Sequence, residues 1–309
     1  MLQHPTPGAS TGHVHYSCRS VDIVALCPGL SSSAGHAPGH RTVAHGRVWQ
    51  AGPGPLRQDG LMDPVSAARA FVAERHSDAD AAILGGSTAQ GRSTPTSDLD
   101  IVVLYRDGAE NYAETTRYEG WIVEAFVHTP ASLASWYTRE RDAGCPVLGD
   151  LCAQGTLLTD RGPGEAWQRE AQLYMDRGPE PLTDQDRGLR RYELSSSLDD
   201  LQGSIIAAES FAIATDVFRQ SVELLLLQHG KWLGKGKWAI RRLDQLPGDE
   251  CAARLRDGAA SPERSPEQLI QIAAKVLEGS GGYLMEGFFR GSRHRAASST
   301  IPAGPHRNP

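Results

Sequence analysis

The feature that most constrains this chain is the stretch from residue 85 to residue 100, where a glycine-serine turn precedes two aspartates at the head of an apolar run. Asp98 and Asp100 are one residue apart. Because side chains on a strand alternate between faces, the two carboxylates are predicted to point the same way. Adjacent carboxylates repel each other, and a cation between them relieves that repulsion. The pair therefore predicts a metal site, with Mg²⁺ as the expected ion.

The glycine-serine turn predicts the other half of this site. Residues 81–84 are apolar and are predicted to form a short buried strand that leads into the turn. Gly85 and Gly86 lack a Cβ, so the backbone N–H groups around them can approach a polyphosphate closely. Ser87 adds a hydroxyl donor. The turn and the two aspartates together indicate a metal-dependent phosphate site.

This block resembles the signature of the polymerase-beta-like nucleotidyltransferase superfamily. Gly86-Ser87 stands where that family has its Gly-Ser, Gly91 and Arg92 occupy its recurrent small and basic positions, and residues 97–100 reproduce its Ser-Asp-hydrophobic-Asp step. The resemblance implies a helical turn that holds the triphosphate of a nucleotide, expected to be ATP, and two Mg²⁺ ions bound by the aspartates. The residues that it implies for nucleotide binding are Gly85, Gly86, Ser87, Arg92 and Ser97. The alternative is a surface loop that happens to carry acidic residues.

The superfamily usually takes a third carboxylate from a neighbouring strand, and Glu124 is the only acid in the apolar run 121–128. Glu124 shares a face with Ile122 and Phe126, so it is predicted to lie where the sheet is open to a ligand. We expect it to bind the metal or to act as the base that deprotonates the acceptor. The alternative is an edge-strand glutamate that points to water. His128, at the end of the run, is expected to be solvated and is given no role.

The chain is predicted to have an α+β fold, in which a small mixed-sheet nucleotidyltransferase core precedes an all-α helical bundle. Residues 1–60 are rich in Gly, Pro, Ser and His and are predicted to be a disordered tail. Asp63-Pro64 is a typical helix start, which makes Met62 a candidate translation start. The predicted divisions are a tail over 1–60, the nucleotidyltransferase domain over 62–180, the bundle over 181–292 and a second disordered tail over 293–309.

A helical bundle behind such a core is similar to the layout of bacterial aminoglycoside and lincosamide nucleotidyltransferases, whose active cleft lies between the two halves. Within the bundle region, three lysines alternate with glycines and tryptophans over residues 230–238. Lys235 and Lys237 are predicted to clamp the phosphates, because flexible ammonium groups suit a triphosphate. The alternative is a basic helix end that offsets the helix dipole.

Acidic residues on the first bundle helix are secondary candidates for a general base. Glu193, Asp199 and Asp200 lie close together by helical spacing, and in the antibiotic-modifying relatives a bundle acid can serve as the base. Neighbouring acids on a helix more often form a solvated face, so these three remain alternatives.

Composition limits the compartment and the partners. The net charge is −6 and the chain has no lysine and arginine block, which argues against a long nucleic acid as partner. There is no apolar run of about 20 residues and no secretory signal, so neither a membrane span nor export is expected. Five cysteines do not form a disulfide framework, and free thiols in a reducing cytoplasm are expected.

These observations predict a metal-dependent nucleotidyltransferase. It would move a nucleoside monophosphate, expected to be AMP, from a nucleoside triphosphate to a hydroxyl of a small-molecule acceptor, with an antibiotic as one candidate. Two alternatives are a protein adenylyltransferase of the antitoxin type and a non-catalytic nucleotide-binding module. The first is usually a short single domain, and the second has no need of all three acids.

Overall fold

The computed structural model describes residues 62–94, 96–108, 111–261 and 265–291. The predicted disordered tails, over 1–60 and 293–309, lie outside these residues. The chain divides into two compact units. Of the described residues, the first unit holds those up to 181 together with His229–Pro247, and the second holds Leu182–Gln228 and those from 248 onward.

A five-stranded sheet forms the centre of the first unit, with the strand order β3-β4-β2-β1-β5. The strands are β1 (Ala81–Leu84), β2 (Leu99–Leu104), β3 (Asn111–Tyr118), β4 (Trp121–His128) and β5 (Thr156–Asp160). Strands β2 and β4 are parallel, whereas the other neighbouring pairs are antiparallel. The predicted α+β fold with a mixed sheet is therefore confirmed.

Helices account for most of the remaining described chain. Those of the first unit are α1 (Pro64–Arg75), α2 (Gly86–Ala89), α3 (Pro130–Ala143), α4 (Val147–Ala153), α5 (Gly164–Arg177) and α8 (Lys237–Leu243). Those of the second unit are α6 (Asp184–Gly203), α7 (Ala207–Gln228), α9 (Glu250–Ala260) and α10 (Pro266–Gly279). Local sequence fixes several starts: the Asp63 side chain accepts the N–H of Ser66, and Thr129 and Ser132 cap each other ahead of α3. Every described helix is too short or too polar to cross a lipid bilayer.

The alternation of side chains along β2 and β4 decides which residues each face of the sheet presents. On one face, Leu99, Ile101 and Val103 pack into the core cluster that includes Phe71 of α1. On the other face, the residues that alternate with these along the strands pack against α3, α4 and α5. The members of β2 and β4 in that second cluster are Val102, Leu104 and Phe126. Asp100 and Glu124 have the same parity, so they belong to this second face.

The segment 229–247 belongs to the first unit, although the sequence-based bounds place it in the bundle. The indole N–H of Trp232 donates to the carbonyl of Met175 at 2.8 Å, and Leu233 N–H donates to the carbonyl of Gly144 at 2.7 Å. Trp232 is buried and its ring lies 5.1 Å from that of Tyr174. The segment therefore completes the apolar core beneath the sheet.

The four helices of the second unit pack through leucine-rich faces. Leu194 and Leu198 of α6 and Leu224 of α7 are buried, as is Val276 of α10. The side-chain amide of Gln228 donates to the carbonyl of Val276 at 2.9 Å and so ties the end of α7 to α10.

The described cysteines differ in their bonding. Cys152 and Cys251 are free thiols, as expected. Cys145 is disulfide-bonded, so the prediction of free thiols is wrong for this residue.

Candidate active site

Three carboxylates converge at one end of β2 and β4. Asp98 immediately precedes β2, Asp100 is the second residue of that strand, and Glu124 lies directly opposite Asp100 in the parallel register. One ligand oxygen from each residue lies within 4.8 Å of the other two, and all three residues are half-buried. Strand β4 lies between β3 and β2, so the edge-strand alternative for Glu124 is wrong.

The three acids perturb each other because they share a partly desolvated space. Burial, together with the charges of Asp98 and Glu124, raises the pKa of Asp100 to about 7, and Lys237 opposes the shift. Burial and Asp98 also raise the pKa of Glu124, whereas a hydrogen bond from the Thr115 hydroxyl lowers it. A divalent cation would favour the ionised carboxylates, and clustered carboxylate oxygens are the ligands that Mg²⁺ prefers. The donor set therefore fits such an ion.

The glycine turn is built around Asp100. Gly86 has a φ of +68°, and a Cβ at this position would lie 1.9 Å from Oδ2 of Asp100. Gly85 N–H donates to the backbone carbonyl of Asp100 at 2.8 Å, and a Cβ on Gly85 would lie 2.6 Å from the side chain of Leu151. Glycine at position 86 therefore lets the turn approach β2, and glycine at position 85 lets it pack against α4.

Hydroxyl groups connect the turn to the loop that carries Asp98. The Ser87 and Ser97 hydroxyls lie 3.2 Å apart, and the hydroxyl of Thr88 donates to the backbone carbonyl of Asp98 at 3.1 Å. Ser97 Oγ also accepts the backbone N–H of Thr94 at 2.8 Å. These bonds hold the backbone of Asp98 beside the turn at the start of β2.

The basic residues predicted for the site all lie in the first unit. Arg92 is exposed, and its backbone N–H donates to the carbonyl of Ser87 at 2.8 Å. Lys237 is the first residue of α8 and lies close enough to Asp100 to affect its pKa. Lys235 is exposed two residues earlier. Nucleotide-binding roles for these residues stay predictions.

The secondary acids have ordinary surroundings within the second unit. Glu193, Asp199 and Asp200 are all exposed on α6, as the solvated-face alternative describes. Asp199 accepts a hydrogen bond from the Tyr283 hydroxyl at 2.5 Å. A general-base role for any of them stays a prediction.

His128 differs from its expected solvated state. It is 1% exposed, its Nδ1 lies 3.2 Å from the Ser132 hydroxyl, and its ring meets that of Trp136 edge-on. Burial lowers its pKa to about 4, so this histidine is a neutral core residue at neutral pH.

Thr115 is a site residue that the sequence analysis missed. It lies opposite Glu124 in the antiparallel register of β3 and β4, and its hydroxyl bonds the carboxylate. The strand β3 is mostly exposed and polar, so it lacks the apolar run by which the other strands were predicted. The signal available in the sequence was the β-branched pair Thr115-Thr116, flanked by Tyr112 and Tyr118, just before a predicted strand.

The comparison with protein families agrees with the geometry. A sequence model of a protein family, described as a nucleotidyltransferase domain, matches residues 65–134, which contain the glycine turn and all three acids. No curated protein matches the chain significantly. Among experimental structures, a nucleotidyltransferase-like protein from Exiguobacterium sibiricum matches with 16% identity over 70% of this chain and 73% of that chain, at a TM-score of 0.36.

The family match covers the part of the chain in which the metal-binding and glycine-turn geometry is found. Helix α1, strands β1, β2, β3 and β4 and the start of α3 lie within it. Residues 65–134 therefore form a nucleotidyltransferase domain, as the resemblance of the glycine turn and the aspartates to the polymerase-beta-like superfamily predicts.

Proposed function

We propose that the protein is a metal-dependent enzyme that moves a nucleoside monophosphate, AMP in the simplest case, from a nucleoside triphosphate to a hydroxyl of a small-molecule acceptor. The observation that carries the proposal is the convergence of Asp98, Asp100 and Glu124 within 4.8 Å, next to a turn in which Gly86 admits no side chain. A cytoplasmic location, expected from the sequence, is part of the proposal.

Each part of the site has a role in this reaction. Asp98, Asp100 and Glu124 would hold two Mg²⁺ ions, which when bound neutralise phosphate charge and lower the pKa of an acceptor hydroxyl. The turn at Gly85 and Gly86 would let backbone N–H groups bind the phosphates, with the Ser87 hydroxyl as a further donor. Glu124 has a raised pKa and could instead take the proton from the acceptor.

The three carboxylates are held in place by the strands and the loop that carry them. Asp100 and Glu124 lie on paired strands in the centre of the sheet, and Asp98 is fixed through Thr88 and Ser97. Because the carboxylates are positioned before the substrate binds, little reorganisation is needed during the transfer. Lys235, Lys237 and Arg92 would add positive charge around the phosphates and the departing pyrophosphate.

Two other activities would use the same part of the site, the part that binds the nucleoside triphosphate. A protein adenylyltransferase of the antitoxin type would differ only in its acceptor, and a non-catalytic module would bind the nucleotide without transfer. Three carboxylates within 4.8 Å of one another favour catalysis over passive binding, because they can hold two metal ions, which a binding module does not need.

The test is incubation of the full chain with labelled ATP, Mg²⁺, aminoglycosides, lincosamides and cell lysate. We expect label on a small molecule. Label on a protein would support the antitoxin-type activity instead, and no label despite measurable ATP binding would support the non-catalytic module.

The test variant is Asp98→Asn, which removes a carboxylate from the site. The control variant is Asp142→Asn, which removes a carboxylate from an exposed position on α3. Loss of one carboxylate is expected to lower the transfer rate by about 100-fold or more, a typical effect of removing one positioned electrostatic group. Asp142→Asn should retain the rate. Wild-type protein that neither binds ATP nor gains thermal stability from Mg²⁺ would refute the proposal.

A further inference from the structure

Three residues form a row across the strands β2, β4 and β3. Asp100 lies opposite Glu124 in the parallel register of β2 and β4, and Glu124 lies opposite Thr115 in the antiparallel register of β3 and β4. Residues directly opposite each other in an antiparallel pair share a face of the sheet, with Cβ atoms about 4.5–5.5 Å apart. Glu124 therefore has an acid on one side and a hydroxyl group on the other.

The Glu124 carboxylate is held by the Thr115 hydroxyl. Within the described part of the chain, this hydroxyl is the only donor of a hydrogen bond to the carboxylate. The charge of Asp98 acts in the opposite sense, because it repels the ionised Glu124. The hydroxyl on β3 thus offsets part of the cost of bringing Glu124 close to the two aspartates.

The surface beside Glu124 is open, so the carboxylate has room to turn away from the aspartates. Ile122, its neighbour on the same face of β4, is 36% exposed, and Thr115 itself is exposed. A glutamate side chain has several rotatable bonds, and fixing them costs conformational entropy. Without a partner on β3, repulsion from Asp98 and Asp100 favours conformations that point to solvent.

The position of the carboxylate suits coordination of a cation. One oxygen of Glu124 lies within 4.8 Å of oxygens of both Asp98 and Asp100. An ionised carboxylate has about four acceptor sites, so a hydrogen bond from Thr115 leaves sites for an ion. Carboxylates that bind a metal are commonly hydrogen-bonded by a further residue that orients them.

We propose that Thr115 is a positioning residue, whose hydroxyl holds the Glu124 carboxylate toward Asp98 and Asp100 so that Glu124 binds the metal. This role rests on the proposed function. It also decides between the two roles that the proposed function leaves open for Glu124, in favour of metal ligand over base.

The experiment measures the affinity of the full chain for Mn²⁺ by electron paramagnetic resonance, in which the signal of the free ion is lost on binding. Mn²⁺ takes the same oxygen ligands as Mg²⁺. Thr115→Val removes the hydroxyl and keeps the branched shape that favours a strand. Thr115→Ser keeps the hydroxyl. The control is Thr116→Val, which makes the same change at the next residue, on the opposite face and paired with Val123.

Thr115→Val is expected to weaken Mn²⁺ binding by about tenfold or more, as for loss of a residue that orients a metal ligand. Thr115→Ser and Thr116→Val should bind Mn²⁺ like the wild type. Urea denaturation checks that each variant is folded. If Thr115→Val proves unstable, Thr115→Ala removes the same hydroxyl and takes its place.

A double-variant cycle separates positioning from a general effect on structure. Glu124→Ala should itself weaken Mn²⁺ binding, and addition of Thr115→Val to it should cause no further loss, because the hydroxyl acts through the carboxylate. If Thr115 served only the strand, it would lower the affinity by the same factor in both backgrounds.

Unchanged Mn²⁺ affinity in Thr115→Val would overturn the positioning role, and slower transfer with that unchanged affinity would assign Glu124 as the base. An equal loss in Thr115→Ser or Thr116→Val would also overturn it, because the hydroxyl at 115 would then not be the cause. Wild-type protein that binds no Mn²⁺ would refute the proposed function itself. Normal wild-type binding with an unaffected Thr115→Val would refute the positioning role alone.

Discussion

Replacement of Gly86 by alanine is expected to have two effects, a collision with the Asp100 carboxylate and strain of a backbone with positive φ. An alanine Cβ would lie 1.9 Å from Oδ2 of Asp100, whereas real Cβ contacts essentially never fall below 3.0 Å. Relief of this contact requires a shift of at least about 1 Å between the turn and the carboxylate. A misplacement of about 1 Å in an active site can cost about 100-fold in rate. Gly86→Ala should therefore lower the rate of nucleotidyl transfer by about that factor.

The variant also introduces backbone strain, and a second glycine allows this to be measured alone. Gly86 has a φ of +68° and Gly91 a φ of +65°, but a Cβ on Gly91 would meet nothing within 4 Å. Each alanine is expected to cost about 1–2 kcal/mol of unfolding free energy, since both occupy the left-handed region. Gly91→Ala thus reproduces the strain without the collision.

The assays are urea denaturation for stability and Mg²⁺-dependent thermal stabilisation together with labelled transfer for the site. We expect Gly86→Ala to lose at least as much stability as Gly91→Ala, because the collision adds to the strain, and we expect loss of the Mg²⁺ response and of transfer in Gly86→Ala only. Equal transfer rates in the two variants would refute the reasoning, because the contact with Asp100 would then be without consequence.

Two further predictions concern buried charges in the first unit. Asp150→Asn should cost about 3–5 kcal/mol of unfolding free energy because it leaves the buried Arg242 unpaired, and the double variant Asp150→Leu with Arg242→Met should recover much of this in urea denaturation. Glu140 is buried, and burial raises its pKa from an ordinary 4.5 to about 8. Its carboxylate accepts hydrogen bonds from the backbone N–H groups of Leu148 and Gly149, which lower the pKa but do not offset the burial. The folded state then binds the proton more tightly, so wild-type stability should fall relative to Glu140→Gln as the pH rises from about 4.5 to about 8, by at most about 1.4 kcal/mol per pH unit. If the unfolding free energies of the wild type and of Glu140→Gln changed with pH in parallel, this prediction would be contradicted.

Elements with a strong local signal were predicted from the sequence. The apolar runs predicted β1, β2 and β4, and the N-cap residue Asp63 marked the start of α1. The family match over residues 65–134 agrees with the resemblance seen in the glycine turn. In these cases the information lies within a few residues of the element it specifies.

Elements whose stability comes from distant contacts were missed or misplaced. Strand β3 is polar and pairs along its whole length with β4, so only its partner reveals it. Helix α8 follows a lysine and glycine segment typical of a loop, and contacts from Trp232 and Leu233 to residues far along the chain fix its position. His128 was expected to be solvated, but α3 covers it.

The sequence by itself predicted the pair of aspartates and the glycine turn, because a period of two residues places Asp100 on the opposite face from Leu99 and because glycine adopts a positive φ without strain. The tertiary structure decided which acids meet and which cations face them. Glu124 joins Asp100 through the parallel register of β2 and β4, and Arg241 comes near Arg92 through the packing of α8 on the first unit. Such contacts join residues that are tens to more than a hundred positions apart, and no local pattern encodes their register or packing.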